Sequence, residues 1–257
     1  MSRHDWDPER YLAYADERGR PFVDLTNRVG AVAPRRVVDL GCGSGQLTRI
    51  LADRWPDAEV HGLDSSPEMI AHANDEGAEA VRFEVADLRE WRSVEPVDVL
   101  VSNATLQWVP GHLELLPDMV DQVAPGGWFA FQVPGNFGEP SHVLLRELGA
   151  ESRFSRHLGD SRPESHAPQT YLESLAALGC RVDAWETTYL HVLSGEDPVF
   201  RWISGSGARP TLQALPDGLR SEFEEEYKRL LRRAYPARRH GTVLPFRRVF
   251  VVAQMPA

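Results

Sequence analysis

Between residues 36 and 133 the chain alternates short apolar, β-branched runs with stretches whose apolar positions recur every three to four residues. Val37-Val38-Asp39-Leu40 reads as a first strand, and behind it Leu47, Ile50, Leu51 and Trp55 fall at helical spacing. Glu59–Leu63, Val81–Val85, Val97–Ser102 and Trp128–Val133 read as four more strands. Ser66 and Pro67 suit the cap and first position of a helix after the second strand, and an amphipathic helix is expected over 112–123, before a turn at Pro125-Gly126-Gly127. Upstream, Phe22, Leu25, Val29 and Val32 form one apolar face, with Pro21 placed to start a helix over 21–33. Downstream of Pro134 the rhythm loosens. A helix is expected over 140–150, a polar irregular stretch over 151–167, and a helix marked by Tyr171, Leu175 and Leu178 and closed by Gly179. Cys180–Leu193 and Phe246–Gln254 read as the last two strands. The residues between them look helical: Asp197-Pro198 opens a short helix, and Leu219, Phe223, Tyr227, Leu230 and Leu231 stripe a longer one.

Strand–helix units of about 20 residues are the rhythm of a parallel sheet in a doubly wound α/β fold. The whole chain, 1–257, is expected to form one domain. Its core is 21–193 with 244–257, residues 1–20 form an N-terminal segment, and 194–243 form a helical cap expected over the carboxyl edge of the sheet. In the N-terminal segment Tyr11 and Tyr14 would share one helical face, near Trp6. Docking against the body and a lid in which Tyr11 and Arg20 approach a ligand are both open readings.

Composition narrows the partners more than the fold. Apolar content of 42% and charged content of 26% are ordinary for a globular chain, but 38 acids against 28 bases give a formal charge of −10. That balance argues against broad binding to nucleic acid or anionic membranes. The N-terminus has no apolar leader and no run approaches the roughly 18 apolar residues of a membrane span, so a cytoplasmic protein is expected. Two cysteines, Cys42 and Cys180, offer neither a disulfide framework nor metal-ligand spacing, and no metal is expected.

The chemistry concentrates in Asp39-Leu40-Gly41-Cys42-Gly43-Ser44-Gly45, between the first strand and its helix. Glycines there allow a sharp turn and the close approach of a ligand, and the N–H groups at the helix start face that ligand. The spacing, acid-x-Gly-x-Gly-x-Gly, departs from the G-x-G-x-x-G of nicotinamide enzymes. A carboxylate before the first glycine would repel a pyrophosphate but suits a cationic ligand carrying an amino group. Asp64 closes the second strand about 20 residues further on, where a doubly wound fold places the acid that accepts the ribose hydroxyls.

This stretch resembles the first motif of class I S-adenosylmethionine-dependent methyltransferases. The resemblance implies a Rossmann-like sheet, mostly parallel with an antiparallel last strand, and S-adenosylmethionine as cofactor. It implies cofactor contacts at Gly41, Cys42, Gly43 and Gly45, and at Ser65 and Met69 beside Asp64, and an N-terminal lid over the cofactor would bring Tyr11 and Arg20 to it as well. It further implies that Asp87 and Leu88 meet the adenine and that Asn103 and Ala104, at the end of the fourth strand, hold the methionine moiety. Trp108 reads equally as core or as cofactor wall.

Taken whole, the chain resembles the trans-aconitate 2-methyltransferases, a cytoplasmic bacterial family. The likeness runs through Trp6 to Leu12, Arg18-x-Arg20-Pro21, Gly62-x-Asp64-Ser65-Ser66-Pro67, Asn103-Ala104-x-Leu106-Gln107-Trp108 and Glu139-Pro140-x-His142-Val143-Leu144. It continues through Trp185-x-Thr187-Thr188-Tyr189-x-His191, Gly207-x-Arg209-Pro210 and Phe246-x-Arg248. One departure is Gly43-Ser44-Gly45-Gln46, where the family often carries proline and asparagine at the second and fourth positions. The implied reaction is methyl esterification of a carboxylate of trans-aconitate. A carboxylate is already ionised at neutral pH, so no catalytic base is expected. The non-reacting carboxylates call for arginine, and the substrate candidates are Arg209, Arg248, His142, Tyr189 and Trp202, with Arg20 and Tyr11 from the N-terminal segment. Pro210 is expected to hold Arg209 extended. A small polycarboxylate is the only partner expected, with a monomer or weak dimer in solution. The alternatives are a class I methyltransferase for another small acid, phenol or amine, and a module that senses adenosylmethionine.

Overall fold

The β-branched and aromatic runs become a seven-stranded sheet in the computed structural model, which describes residues 15–75, 80–159 and 163–257. The strands are β1 (Arg36–Leu40), β2 (Glu59–Asp64), β3 (Val81–Val85), β4 (Val97–Asn103), β5 (Val123–Pro134), β6 (Arg181–Leu193) and β7 (Thr242–Gln254). Their order is β3-β2-β1-β4-β5-β7-β6. β1 runs parallel to β2 and β4, β2 to β3 and β4 to β5, while β7 is antiparallel to β5. This is the doubly wound, mostly parallel sheet that the periodicity predicted. The chain order reverses between β1 and β4, and in such sheets the crevice at the carboxyl ends beside that reversal is the ligand site.

The described chain divides into two compact units. The first, Asp16–Pro134 with Ser165–Thr187 and Arg248–Ala257, holds most of the sheet. Its core packs Val38, Leu40, Leu100, Phe129, Phe131, Val249 and Val251 with Tyr171 and Leu175. The second includes Gly135–Glu164 and Thr188–Arg247. Its own core is built from Leu145, Phe154, Trp202, Ile203, Phe223, Tyr227, Leu231 and Phe246. The helical stretch expected over 194–243 is therefore part of a unit that also contains 135–164.

Several boundaries differ from the periodicity. The helix expected over 21–33 is α1 (Ala15–Thr26), with Pro21 inside it. Past Thr26 the backbone tightens into i to i−3 turns, Arg28 N–H donating to Leu25 O at 3.1 Å and Val29 N–H to Thr26 O at 3.0 Å. Thr26 Oγ1 donates to Phe22 O at 2.9 Å, and the Arg54 guanidinium caps the carbonyls of Thr26 and Val29. Val32, expected on the apolar face, lies past that end and is 93% exposed. The helix expected over 112–123 is a tight turn, His112–Leu115, followed by a short helix, Leu116–Val120. Pro117 cannot donate the helical bond that would join the two. β5 then starts at Val123, ahead of Trp128. The Pro125-Gly126-Gly127 turn is a bulge within it, because the register slips between Val97 opposite Val123 and Val99 opposite Trp128. In the stretch expected to be irregular, Ser152–Ser155 forms a helical turn that buries Phe154 completely. Leu178 lies past the end of the Pro168–Ala177 helix and is 37% exposed.

Candidate functional site

Two of the three glycines of the loop are required by the fold, and the third leaves space. Gly41 has φ +80°, and a Cβ there would come within 2.1 Å of Thr105 Oγ1. Its N–H and that of Cys42 both donate to Leu63 O, at 2.7 and 2.9 Å, which ties the loop to the end of β2. Gly45 (φ +77°) precedes α2 (Gln46–Arg54), and a Cβ there would meet the Phe83 ring at 2.5 Å. A Cβ on Gly43 would meet nothing within 4 Å. The chain thus leaves backbone exposed to open space where a ligand can approach.

Asp64 is aimed into that turn by backbone donors. Gly43 N–H donates to Oδ2 and Ser66 N–H to Oδ1, each at 2.9 Å. Burial nevertheless raises its carboxyl above the usual range, these N–H bonds acting in the opposite direction. Each oxygen still has lone-pair capacity for a further donor such as a ribose hydroxyl. Ser65 beside it is exposed. Ser66 caps the helix Pro67–Asp75 as expected, accepting from Met69 N–H at 3.2 Å, and Met69 itself is buried.

Asp39 is 2% exposed and accepts from the Thr48 hydroxyl at 2.7 Å. Burial pushes its carboxyl up to about 7; the Thr48 bond opposes this and the Asp64 charge adds to it. A cationic group arriving nearby would restore the ionised form. Burial raises the Cys42 thiol as well, followed by the charges of Asp39 and Asp64, so it stays protonated and contributes its backbone rather than a thiolate.

At the end of β3, Asp87 is held by Arg89: the Arg89 backbone N–H donates at 3.0 Å and Nε at 2.9 Å to the same carboxylate oxygen. These bonds hold its carboxyl below the usual range. Leu88 is half-buried and packs with Leu40, Leu100 and Leu115. At the end of β4, Asn103 Oδ1 is buried without a hydrogen-bond partner among the described residues. Ala104 follows with φ +54°, a conformation that costs a non-glycine residue about 1–2 kcal/mol. It is retained because its N–H donates to Gln132 O at 2.8 Å and its carbonyl accepts the Gln107 amide. Trp108 is half-buried at the end of the next turn, Leu106–Trp108. Asp39, the glycine loop, Asp64, Ser65, Met69, Asp87, Leu88, Asn103, Ala104 and Trp108 thus gather at the carboxyl ends of β1 to β4, within one unit.

The substrate candidates are more dispersed. Tyr11, with Trp6 and Tyr14, lies outside the described residues. Arg20 is exposed, 3.9 Å from Asp24 in an ion pair. In the second unit His142 is 7% exposed, with Nδ1 3.3 Å from Ser141 Oγ, and a Cβ on Gly207 would come within 2.8 Å of its Nε2. Burial, then the Arg146 charge, lowers the imidazole to about 4, so it is neutral at pH 7. Ser141 is anchored by two tyrosines that the sequence reading left in the apolar stripe or passed over. Tyr227 OH donates to its carbonyl at 2.7 Å, and its N–H donates to Tyr235 OH at 3.1 Å. Tyr189 stacks on His191, which stacks on Trp202 at 4.5 Å between centroids. Trp202 is 1% exposed and lies in the core of that unit, against Phe246. Arg209 is 9% exposed. It opens the helix Arg209–Ala214 instead of standing extended, because the preceding Ala208 has already entered the helical region. In the first unit Arg248 is 6% exposed and donates to Gln132 Oε1 at 3.1 Å. Thr48, Thr105 and Gln132 were missed; each is a single polar residue in an apolar or loop context, which carries no periodic signal.

A family model described as a methyltransferase domain matches residues 37–127. The trans-aconitate 2-methyltransferase of Streptomyces avermitilis is 52% identical, over 98% of this chain and 97% of that protein. The enzyme of that name from Rhodococcus jostii is 51% identical, over 97% and 99%. Among solved structures, YcgJ from Bacillus subtilis superposes with a TM-score of 0.61 at 12% identity, covering 93% of this chain and 99% of that one. Haemonchus contortus phosphoethanolamine N-methyltransferase 2, in complex with S-adenosyl-L-methionine, gives a TM-score of 0.56 at 18% identity over 93% of this chain and 53% of that one. At these identities the structural matches speak to the fold alone.

Proposed function

The chain belongs to the trans-aconitate 2-methyltransferases, and from that premise we propose that it transfers a methyl group from S-adenosylmethionine to one carboxylate of trans-aconitate. The products are a monomethyl ester and S-adenosylhomocysteine. The observation that carries the substrate is the identity of about half of all positions across nearly the full length of both proteins, well beyond the methyltransferase domain match at 37–127.

The residues present fit the cofactor. Asp64, with both oxygens oriented by N–H groups, suits the ribose hydroxyls, and the open side of Gly43 lets backbone approach the ligand. Asp39 suits the amino group, the backbone of Asn103 and Ala104 the methionine moiety, Asp87 and Leu88 the adenine, and Trp108 a wall of the site. When bound, S-adenosylmethionine supplies a methyl group activated by its sulfonium charge. A substrate carboxylate is ionised at neutral pH, so no proton has to leave it as the ester forms. The protein's task is therefore to bind, orient and exclude water. Arg209, Arg248 and Arg20 are the groups suited to fork onto non-reacting carboxylates. His142, neutral at pH 7, serves as a hydrogen-bonding group toward the substrate, and Tyr11 and Tyr189 are further polar candidates for that contact; Trp202 supports His191 by packing.

No helix among the described residues is long and apolar enough to cross a membrane. A cytoplasmic location and a monomer or weak dimer complete the reading. It is tested by incubating the protein with labelled adenosylmethionine and trans-aconitate, cis-aconitate, isocitrate and citrate in turn. Mass spectrometry should find the monomethyl ester of trans-aconitate in excess over the others. Methylation of another acid with trans-aconitate untouched would refute the substrate assignment.

A further inference from the structure

Gln132 stands in Trp128-Phe129-Ala130-Phe131-Gln132-Val133, a run otherwise without a hydrogen-bonding side chain except the indole, and it is 0% exposed. It lies in register between Asn103 on β4 and Phe250 on β7, so these side chains share one face of the sheet. Arg248, two residues before Phe250, is on that face too, and its Nη1 donates to Gln132 Oε1 at 3.1 Å in a buried bond. Trp185 stacks on Phe250 at 4.9 Å and 7°, which fixes the neighbouring ring.

A guanidinium only donates, so this contact determines the orientation of the amide: Oε1 faces Arg248 and the NH2 group faces away. Nε2 is then buried with no partner among the described residues. An unpartnered donor in the interior weakens folding, and methionine of similar length would fill the position without it. What glutamine supplies instead is a neutral acceptor. It orients the guanidinium without adding a counter-charge of its own, whereas a glutamate would pair with the arginine and quench its charge.

We infer that Gln132 is a positioning residue: as a neutral acceptor it orients the Arg248 guanidinium toward a carboxylate group of the substrate. This rests on the trans-aconitate reading above. The test measures steady-state kinetics with trans-aconitate, cofactor affinity by calorimetry and thermal stability for wild type, Gln132→Met, Gln132→Glu, Arg248→Met and the Gln132→Met/Arg248→Met double variant. Gln132→Met should raise KM for trans-aconitate roughly 10- to 100-fold, the scale of one hydrogen bond to a charged group. Its kcat and cofactor affinity should stay near wild type and its Tm should be unchanged or higher. Gln132→Glu should raise KM at least as far. In the Arg248→Met background the effect of Gln132→Met on KM should vanish, because it acts through the arginine. An unmoved KM in Gln132→Met, or a lowered Tm with a KM effect that persists without Arg248, overturns the inference alone. Absence of any ester from the wild-type protein with trans-aconitate overturns the substrate reading and this inference with it.

Discussion

If Asp39 meets the amino group of the cofactor, as proposed, folding and cofactor binding make opposite demands on it. Burial, opposed by the Thr48 hydroxyl and reinforced by Asp64, pushes its carboxyl from 3.8 up to about 7. In the unfolded chain the same group ionises near pH 4. Between those values the folded protein keeps a proton that the unfolded chain has released. Its contribution to stability is therefore fully present below about pH 4 and is lost as pH rises to about 7. From pH 5 to 8 the loss is about 3 kcal/mol, the slope of about 1.4 kcal/mol per pH unit fading as the folded group itself titrates near 7. Asparagine cannot ionise and keeps an oxygen for Thr48, so Asp39→Asn should remove this loss. Denaturation of the cofactor-free protein across pH 5–8 measures it. Wild type should fall relative to the variant by about 3 kcal/mol, or roughly 6–12 °C in Tm for a chain of this size. Cofactor binding should respond the other way. The amino group of adenosylmethionine favours the ionised acid, so wild-type affinity should tighten as pH rises toward 7, while Asp39→Asn binds weakly with a flat profile. Parallel stability curves for the two proteins would show that Asp39 does not carry this proton. A cofactor affinity equally independent of pH in both would remove Asp39 from the site.

Gly43→Ala should weaken adenosylmethionine binding while lowering stability by only the roughly 1–2 kcal/mol of a left-handed alanine, because its Cβ meets no protein atom; calorimetry beside denaturation separates the two effects. Gly41→Ala should lower stability further, since its Cβ would collide with Thr105, and denaturation midpoints compare the pair directly. Arg209→Met should cut kcat/KM for trans-aconitate by about 2–5 kcal/mol with cofactor affinity unchanged, and Arg209→Lys should be nearly as damaging because an ammonium cannot fork; kinetics at saturating cofactor test both. The saturated rate should be nearly flat from about pH 6.5 to 8.5, because the nucleophile is ionised throughout and burial lowers His142 to about 4; an ascending limb near pH 7 that disappears in His142→Ala would place a base there.

The sheet and the glycine loop at its carboxyl edge were legible because they rest on local signals. β-branched runs, three glycines at fixed spacing and an acid at the end of each of the first three strands depend on backbone sterics and on period, which a short window of chain displays. Boundaries were less legible wherever a distant residue decided them. The end of α1 at Thr26 is held by Arg54, in the next helix, which donates to the carbonyl of Thr26 and to that of Val29 just beyond it. The Gly126-Gly127 turn belongs inside β5 because β4 supplies the register on either side of it.

By itself, the sequence determined the fold class and the position of the glycine loop, with Asp39 and Asp64 at the ends of the two strands beside it. Tertiary structure alone decided what each acid experiences. Asp39 and Asp87 are equivalent as letters, yet burial raises the first while Arg89 lowers the second. Tertiary structure also separated Arg248, bonded to Gln132, from Trp202, enclosed in a core. The reason is physical. Backbone conformation is set by neighbours along the chain, whereas desolvation and hydrogen-bond partnership are set by neighbours in space.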